Sequence, residues 1–197
     1  MSETEDKKLY VIAGCNGAGK TTASFTILPG ILDCREFVNA DEIARGVSPF
    51  QPEKAAFEAG RIMLRRIEML MGERASFAFE TTLSTKSYKN TILEARSIGY
   101  NVTLLYFWLE SVALAKERVN IRVSEGGHNI APEIIERRYM RGIENLFDIY
   151  LPIVDAALVF DNSFGDYQLI ADKRLNEGLN IFRQEQFQKM KQFYDEH

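Results

Sequence analysis

The chain is poor in cysteine, histidine and basic excess. Two cysteines, Cys15 and Cys34, and two histidines, His128 and His197, occur in 197 residues. That is too little for a disulfide framework or for the usual four-ligand zinc site. Reduced thiols in a cytoplasmic protein are the simplest reading. A formal charge of −4 argues against a long nucleic acid as partner, since backbone binders carry a basic balance or a basic face. No uncharged apolar run approaches the ~20 residues of a membrane span, so no membrane association is expected. Residues 1–8 are polar and acidic, without the apolar stretch of a secretory signal, and read as a loose tail. Hydrophobic residues make up 46% of the chain, enough for a core. The length suits one domain, expected over residues 9–197.

What is present is concentrated near the start. Leu9 to Ala13 is a short apolar run of buried-strand length, and Gly14-Cys15-Asn16-Gly17-Ala18-Gly19-Lys20-Thr21 fits G-x-x-x-x-G-K-[ST], the phosphate-binding loop. Glycines let backbone N–H groups turn around a phosphate without a side chain in the way. A helix from Lys20 would add the positive end of its dipole. Gly14, Asn16, Gly17, Ala18, Gly19, Lys20, Thr21 and Thr22 are therefore the candidate nucleotide-binding residues, with ATP or GTP the expected ligand. Lys20 reaches the β/γ-phosphates in such loops, and the Thr21 hydroxyl faces Mg²⁺.

Further along, apolar runs and helical patterns alternate. Glu36–Ala40, Ala75–Phe79, Asn101–Leu109 and Ala156–Phe160 read as strands, and Tyr167–Ala171 as a short edge strand. Helices are expected over Lys20–Ile27, from Pro52 past Met71, over Thr85–Ile98, Ser111–Val123 and Pro132–Tyr150, and over Leu179–Tyr194. In the helix from Pro52, the expected apolar stripe is Ala56, Phe57, Gly60, Leu64, Ile67 and Met71. Such alternation predicts an α/β P-loop fold: a three-layer sandwich around a mainly parallel five-stranded sheet, with ligands at the carboxyl ends of the strands.

Polar residues just past those strand ends are the candidates for chemistry. Asp41, Glu80 and Asp161 each follow a strand. Asp41 suits a general base that accepts a proton from a substrate hydroxyl. Glu80, with Thr81 and Thr82, suits substrate binding or a metal-bound water. Helix N-caps and loop acids are the bland alternative for each carboxylate. Positive charge gathers in the middle of the chain. Arg118 and Arg122 share a helix face, and Arg137, Arg138 and Arg141 lie on the next helix. Between them Ser124-Glu125-Gly126-Gly127-His128-Asn129-Ile130 reads as a flexible loop. Residues 118–141 are thus a candidate lid, closing over ATP and neutralising transition-state charge. Its candidates are His128, Arg137, Arg138 and Arg141. Solvated helix faces paired with Glu117, Glu133, Glu136 and Glu144 are the alternative.

The ordered combination of Gly14–Thr21, Asn39-Ala40-Asp41, Phe79-Glu80-Thr81-Thr82-Leu83 and Arg118–Arg141 resembles the zeta toxin-like P-loop kinases, and within them a bacterial branch described as predicted ATPases. The likeness spans about Leu9 to Ser163. Zeta toxins phosphorylate the 3′-hydroxyl of the aminosugar in UDP-N-acetylglucosamine, using ATP and Mg²⁺. The resemblance implies Lys20 as the phosphate-loop lysine, Thr21 as the metal-side hydroxyl and Asp41 as the catalytic base. Glu80 and Thr82 match substrate-contacting positions, and Arg118 and Arg122 are equated with two arginines that contact ATP phosphates. After Asp41 the run Glu42-Ile43-Ala44-Arg45 departs from the Phe-Arg found in the toxins. An antitoxin partner is compatible with the likeness but has no signature in the residues.

Two activities stay open at this point. One is an ATP- and Mg²⁺-dependent kinase for a small-molecule hydroxyl acceptor, a UDP-sugar being one such acceptor. The other is an ATP-hydrolysing switch or ABC-like ATPase: Ser124–His128 faintly resembles an ABC signature loop, and Leu158-Val159-Phe160-Asp161 a Walker B strand. Against the second, Asn162-Ser163 follows the aspartate where such an ATPase carries a catalytic glutamate.

Overall fold

The computed structural model describes residues 7–127, 129–175 and 177–195. Most of the expected N-terminal tail and His128 lie outside these residues. Lys7 and Lys8 already belong to the first strand, β1 (Lys7–Gly14). It is followed by α1 (Lys20–Gly30), β2 (Glu36–Val38), α2 (Ala40–Val47), a 3₁₀ turn Pro52–Ala55, α3 (Ala56–Gly72) and β3 (Phe77–Thr81). Then come α4 (Tyr88–Ser97), β4 (Tyr100–Trp108), α5 (Val112–Ser124), α6 (Pro132–Asn145), a π-helical stretch Leu146–Tyr150 and the single turn α7 (Leu151–Ile153). The remaining elements are β5 (Ala156–Asp161), β6 (Gln168–Lys173), β7 (Leu179–Ile181) and α8 (Gln184–Asp195).

The strands form one sheet in the order β2-β3-β1-β4-β5-β6-β7. β1 to β5 are parallel to their neighbours, and β6 and β7 are antiparallel. In β1, consecutive residues Leu9 to Ala13 are all buried. Because successive side chains point to opposite faces, that pattern requires cover on both sides of the sheet. Phe77 and Phe79 of β3, and Leu105, Phe107 and Trp108 of β4, are likewise buried. Each contributes roughly 1.5–3 kcal/mol of apolar burial.

The sheet has seven strands rather than five. The miss lies at the C-terminal edge, where Leu179 and Phe182 stand at helical spacing within a run expected to be one helix. Instead Leu179–Ile181 pairs with Ala171–Lys173, and the Phe182 N–H donates to the Ile170 carbonyl at 2.8 Å. The helix begins only at Gln184 and buries Phe187 and Met190. In α3 the period is helical, and Ile67 and Met71 of the expected stripe are buried, but Phe57 and Leu64 are exposed. Ala59, Met63, Ile67, Leu70 and Met71 face the core, whereas Phe57 is 79% exposed. Phe57 instead takes the Arg61 guanidinium over its ring at 5.8 Å. α2 was not expected as an element, and it is the one that carries Asp41.

Candidate active site

The loop between β1 and α1 needs its glycines for two separate reasons. Gly14, Gly17 and Gly19 have φ of 140°, 81° and 80°, values that side chains disfavour. The loop is also enclosed by its neighbours. A Cβ on Gly14 would stand 2.1 Å from the Phe107 carbonyl oxygen, and one on Gly19 would stand 2.6 Å from Asn162 Nδ2. Asn162 Nδ2 and the Tyr167 hydroxyl, from the β5–β6 connection, donate to the carbonyls of Ala18 and Gly19 at 2.9 and 3.3 Å. The result is a preformed cradle at the N-terminus of α1. Lys20 lies inside it, 6% exposed, its ammonium donating to the Cys15 carbonyl at 3.0 Å. Burial pushes the Cys15 thiol up to about 11, so it is an unreactive wall of the loop.

Glu80 connects the cradle to the strands beside it. β1 and β3 are adjacent and parallel, with Ile12 opposite Glu80 and Ala13 opposite Thr81, so the side chains near the end of β3 stand next to the phosphate loop. Glu80 Oε2 accepts from Thr21 Oγ1 at 2.8 Å and from Asn39 Nδ2 at 2.9 Å. Glu80 Oε1 lies 3.6 Å from the Lys20 ammonium. Burial raises the Glu80 carboxyl above its usual range, opposed by Lys20 and the Thr21 hydrogen bond and reinforced by Asp41. The oxygen atoms of Thr21 and Glu80 are the donor type a hard divalent cation takes. They fit Mg²⁺.

Asp41 sits in the first turn of α2, whose N-cap is Asn39. It faces three adjoining clefts. The first, about 220 Å³, lies over the phosphate loop and is lined by Asn16, Gly17, Gly19, Lys20, Thr21, Thr22, Asp41, Glu80, Arg118 and Arg122. The second, also about 220 Å³, shares Asn16, Lys20, Asp41 and Glu80 with the first and is lined further by Asn39, Ala40, Met63, Thr81, Thr82, Ser84, Thr85, Tyr88 and Arg138. The third, about 350 Å³, opens between Asp41, Arg45, Pro52, Arg122 and Arg138. Asp41 and Glu80 both border the first two clefts, and Asp41 borders the third as well.

The wall of the second cleft is held from α6 and the π-helical stretch behind it. Gly142 lets α6 approach closely: a Cβ there would meet the Thr82 carbonyl at 2.8 Å. Asn145 Nδ2 donates to the Leu83 carbonyl and the Tyr150 hydroxyl to that of Thr85, both at 2.7 Å. Leu83 is fully buried at φ 55°, a strained conformation for a leucine. Its N–H donates to Thr81 Oγ1. Thus Thr81 faces its own loop, while Thr82 pairs with Ser84 at 2.8 Å.

The arginines of the expected lid separate. Gly17 packs on α5, where a Cβ would meet Ala115 and Arg118. Arg118 thereby borders the phosphate cleft, its guanidinium donating to the Ser163 carbonyl at 3.0 Å. Arg122 borders the phosphate cleft and the outer one. On α6, the Tyr139 hydroxyl donates to the Leu109 carbonyl at 2.6 Å, which turns Arg138 toward the loop. Arg138 Nη1 donates to Asn16 Oδ1 at 3.2 Å. Burial lowers the Arg138 pKa, with Asp41 opposing and Arg137 reinforcing. Arg137 and Arg141 are exposed and border none of the three clefts. Asp161 is turned inward, accepting from the N–H and Oγ of Ser163, and it too borders none of them. Met63, Ser84, Thr85 and Tyr88 were not singled out from the sequence, and Asn39 stood there only as part of a motif, with no role of its own. For Asn39 a signal existed, since Asn before Ala-Asp-Glu is a helix N-cap pattern.

Known proteins resemble this chain in sequence and, more widely, in fold. No established family profile matches it. An uncharacterized protein of Haemophilus influenzae is 30% identical over 140 residues, covering 68% of this chain and 98% of its own length. The crystal structure of AvrRxo1-ORF1:-ORF2 with ATP superposes with a TM-score of 0.74 at 15% identity. That match covers 94% of this chain, which spans only 63% of the AvrRxo1 chain. A structure from the PezAT chromosomal toxin–antitoxin system of Streptococcus pneumoniae superposes at 0.68 with 16% identity, covering 99% of this chain and 88% of the other. At these identities the structural likeness speaks for the fold. The chain belongs to one family with the Haemophilus influenzae protein, and its α/β P-loop fold is the one shared by the AvrRxo1-ORF1:-ORF2 and PezAT structures.

Proposed function

We propose that the protein is an ATP- and Mg²⁺-dependent kinase that transfers the γ-phosphoryl group to a hydroxyl of a small molecule. The observation that carries this reading is the position of Asp41, which borders both the phosphate-loop cleft and the hydroxyl-lined cleft beside it. A general base for in-line transfer belongs at such a junction. A hydrolytic switch has no use for a second, hydroxyl-lined cleft beside its base.

In this reading the loop N–H groups and Lys20 bind the β/γ-phosphates, and the acceptor lies against Thr82, Ser84, Thr85 and Tyr88. Asp41 takes the proton from the acceptor hydroxyl as its oxygen attacks. Lys20 and the guanidinium groups of Arg118, Arg122 and Arg138 stabilise the charge spread over the transferring oxygens. Thr21 and Glu80 would hold Mg²⁺, which when bound neutralises charge on the β- and γ-oxygens. Thr21 donates its proton to Glu80 Oε2 here, which leaves the lone pairs of its own oxygen free to serve a cation.

The 3′-hydroxyl of the aminosugar in UDP-N-acetylglucosamine is the acceptor we propose first, on the resemblance in the phosphate loop, Asn39–Asp41 and Phe79–Leu83. The adjoining outer cleft, with Arg45, Arg122 and Arg138, offers cations for a diphosphate. An antitoxin-type partner belongs to the same proposal, since the PezAT neighbour is named for a toxin–antitoxin system. The test is incubation with Mg²⁺·ATP and a panel of UDP-sugars, nucleosides and oligonucleotide ends, read by mass spectrometry. A phosphorylated acceptor is expected. ATP hydrolysis indifferent to every acceptor would move the assignment to an ATPase.

A further inference from the structure

Asn39 uses both ends of its side-chain amide, and the two ends serve different elements. Its Oδ1 accepts from the backbone N–H groups of Asp41 at 2.8 Å and Glu42 at 3.4 Å, capping α2. Its Nδ2 donates to Glu80 Oε2 at 2.9 Å, the same oxygen that takes the Thr21 hydroxyl. The residue is 5% exposed, so neither end is exchanged freely with water. A cap alone requires only the oxygen, and Ser, Thr or Asp supplies it as well. The donor end is the surplus feature, and it points at the carboxylate beside the phosphate loop.

Resting on the kinase reading above, we propose that Asn39 is a positioning residue for phosphoryl transfer. It ties the first turn of α2, and with it Asp41, to the Thr21–Glu80 pair, fixing the base relative to the bound phosphates. β2 is only three residues long and lies at the sheet edge, so the strand alone holds the start of α2 weakly. Near-attack geometry is sensitive to displacements of about 1 Å, worth roughly 10²-fold in rate. A tether at this point sets turnover and leaves nucleotide binding to the loop.

Two substitutions separate positioning from capping. Asn39→Ser keeps a capping oxygen but is too short to reach Glu80. Asn39→Asp keeps the cap in full and replaces the donor with an acceptor. Both should fold, with Mg²⁺·ATP affinity and acceptor KM within about threefold of the parent, while kcat falls by ~10-fold or more. The decisive measurement is a double-mutant cycle with Asp41→Asn, scored on ATP turnover with UDP-N-acetylglucosamine as acceptor, and with water alone in parallel. If Asn39 acts through Asp41, Asn39→Ser costs nothing further once Asp41 is replaced. Full turnover in Asn39→Ser, which cannot reach Glu80, would reduce the residue to a helix cap and overturn the proposal. Equal losses in both backgrounds would overturn it too. A parent enzyme that hydrolyses ATP at a rate indifferent to every acceptor would contradict the kinase reading itself, and this inference with it. Failure of the cycle in an active parent contradicts the tether alone.

Discussion

Glu80 Oε2 lies 2.8 Å from the hydroxyl of Thr21, 59 residues away in sequence. The contact follows from the sheet. β3 runs parallel beside β1, so the carboxylate near the end of one strand meets the first turn of the helix that follows the other. It places an acid, a hydroxyl and the Lys20 ammonium within one small volume, and several expectations depend on it.

The first concerns pH. Glu80 binds its proton more tightly when folded than when unfolded, because burial outweighs Lys20 and Thr21. Between its usual value of 4.5 and its raised value the folded state therefore carries more protons, and stability falls as pH rises. Glu80→Gln removes that dependence. Denaturant unfolding over a pH series should show the parent losing stability relative to Glu80→Gln as pH rises through that window. A parent that gains on the variant would mean that the Lys20 and Thr21 contacts dominate.

Lys20→Ala should weaken Mg²⁺·ATP binding by ~10- to 150-fold, the loss of a charge-assisted hydrogen bond worth about 1.5–3 kcal/mol. Titration calorimetry checks this. Unchanged affinity would remove the loop's assigned role.

The arginines should separate in function as they do in space. Arg138→Met is expected to lower transfer by ~10²-fold, as for loss of one donor to developing charge. Arg137→Ala and Arg141→Ala, at exposed positions, should stay within about twofold. Equal effects for all three would indicate a general electrostatic field in place of one directed guanidinium.

The phosphate loop makes a stability prediction independent of activity. Gly14→Ala combines a φ of 140° with a 2.1 Å approach to the Phe107 carbonyl, and should cost at least about 2 kcal/mol. Gly30→Ala meets nothing within 4 Å and should remain within about 0.5 kcal/mol. Thermal melts of the two variants compare them directly.

Local chemistry made part of this site legible in the sequence. The spacing of Gly14, Gly19 and Lys20 is a property of seven consecutive residues, and continuous apolar runs marked β1 and β4. What stayed hidden depended on packing between distant segments. Helical periodicity in α3 marked Ile67 and Met71 but misplaced the first turn, where Phe57 is exposed and meets Arg61 in place of the core. Arg138 could not be told from Arg137 and Arg141 until Tyr139 fixed the rotation of α6. The three-residue β7 was masked by a helix that starts a few residues later. Asn39 looked like part of a motif, and only the tertiary contact with Glu80 reveals its second hydrogen bond.

The central claim is that Asp41 serves as base between two clefts. The most direct measurement compares the parent with Asp41→Asn in single-turnover phosphoryl transfer to the acceptor identified in the panel, with ATP affinity determined on the same samples. The account predicts ATP affinity within a few-fold and transfer slower by ~10²-fold or more. Transfer by Asp41→Asn at close to the parent rate would contradict it.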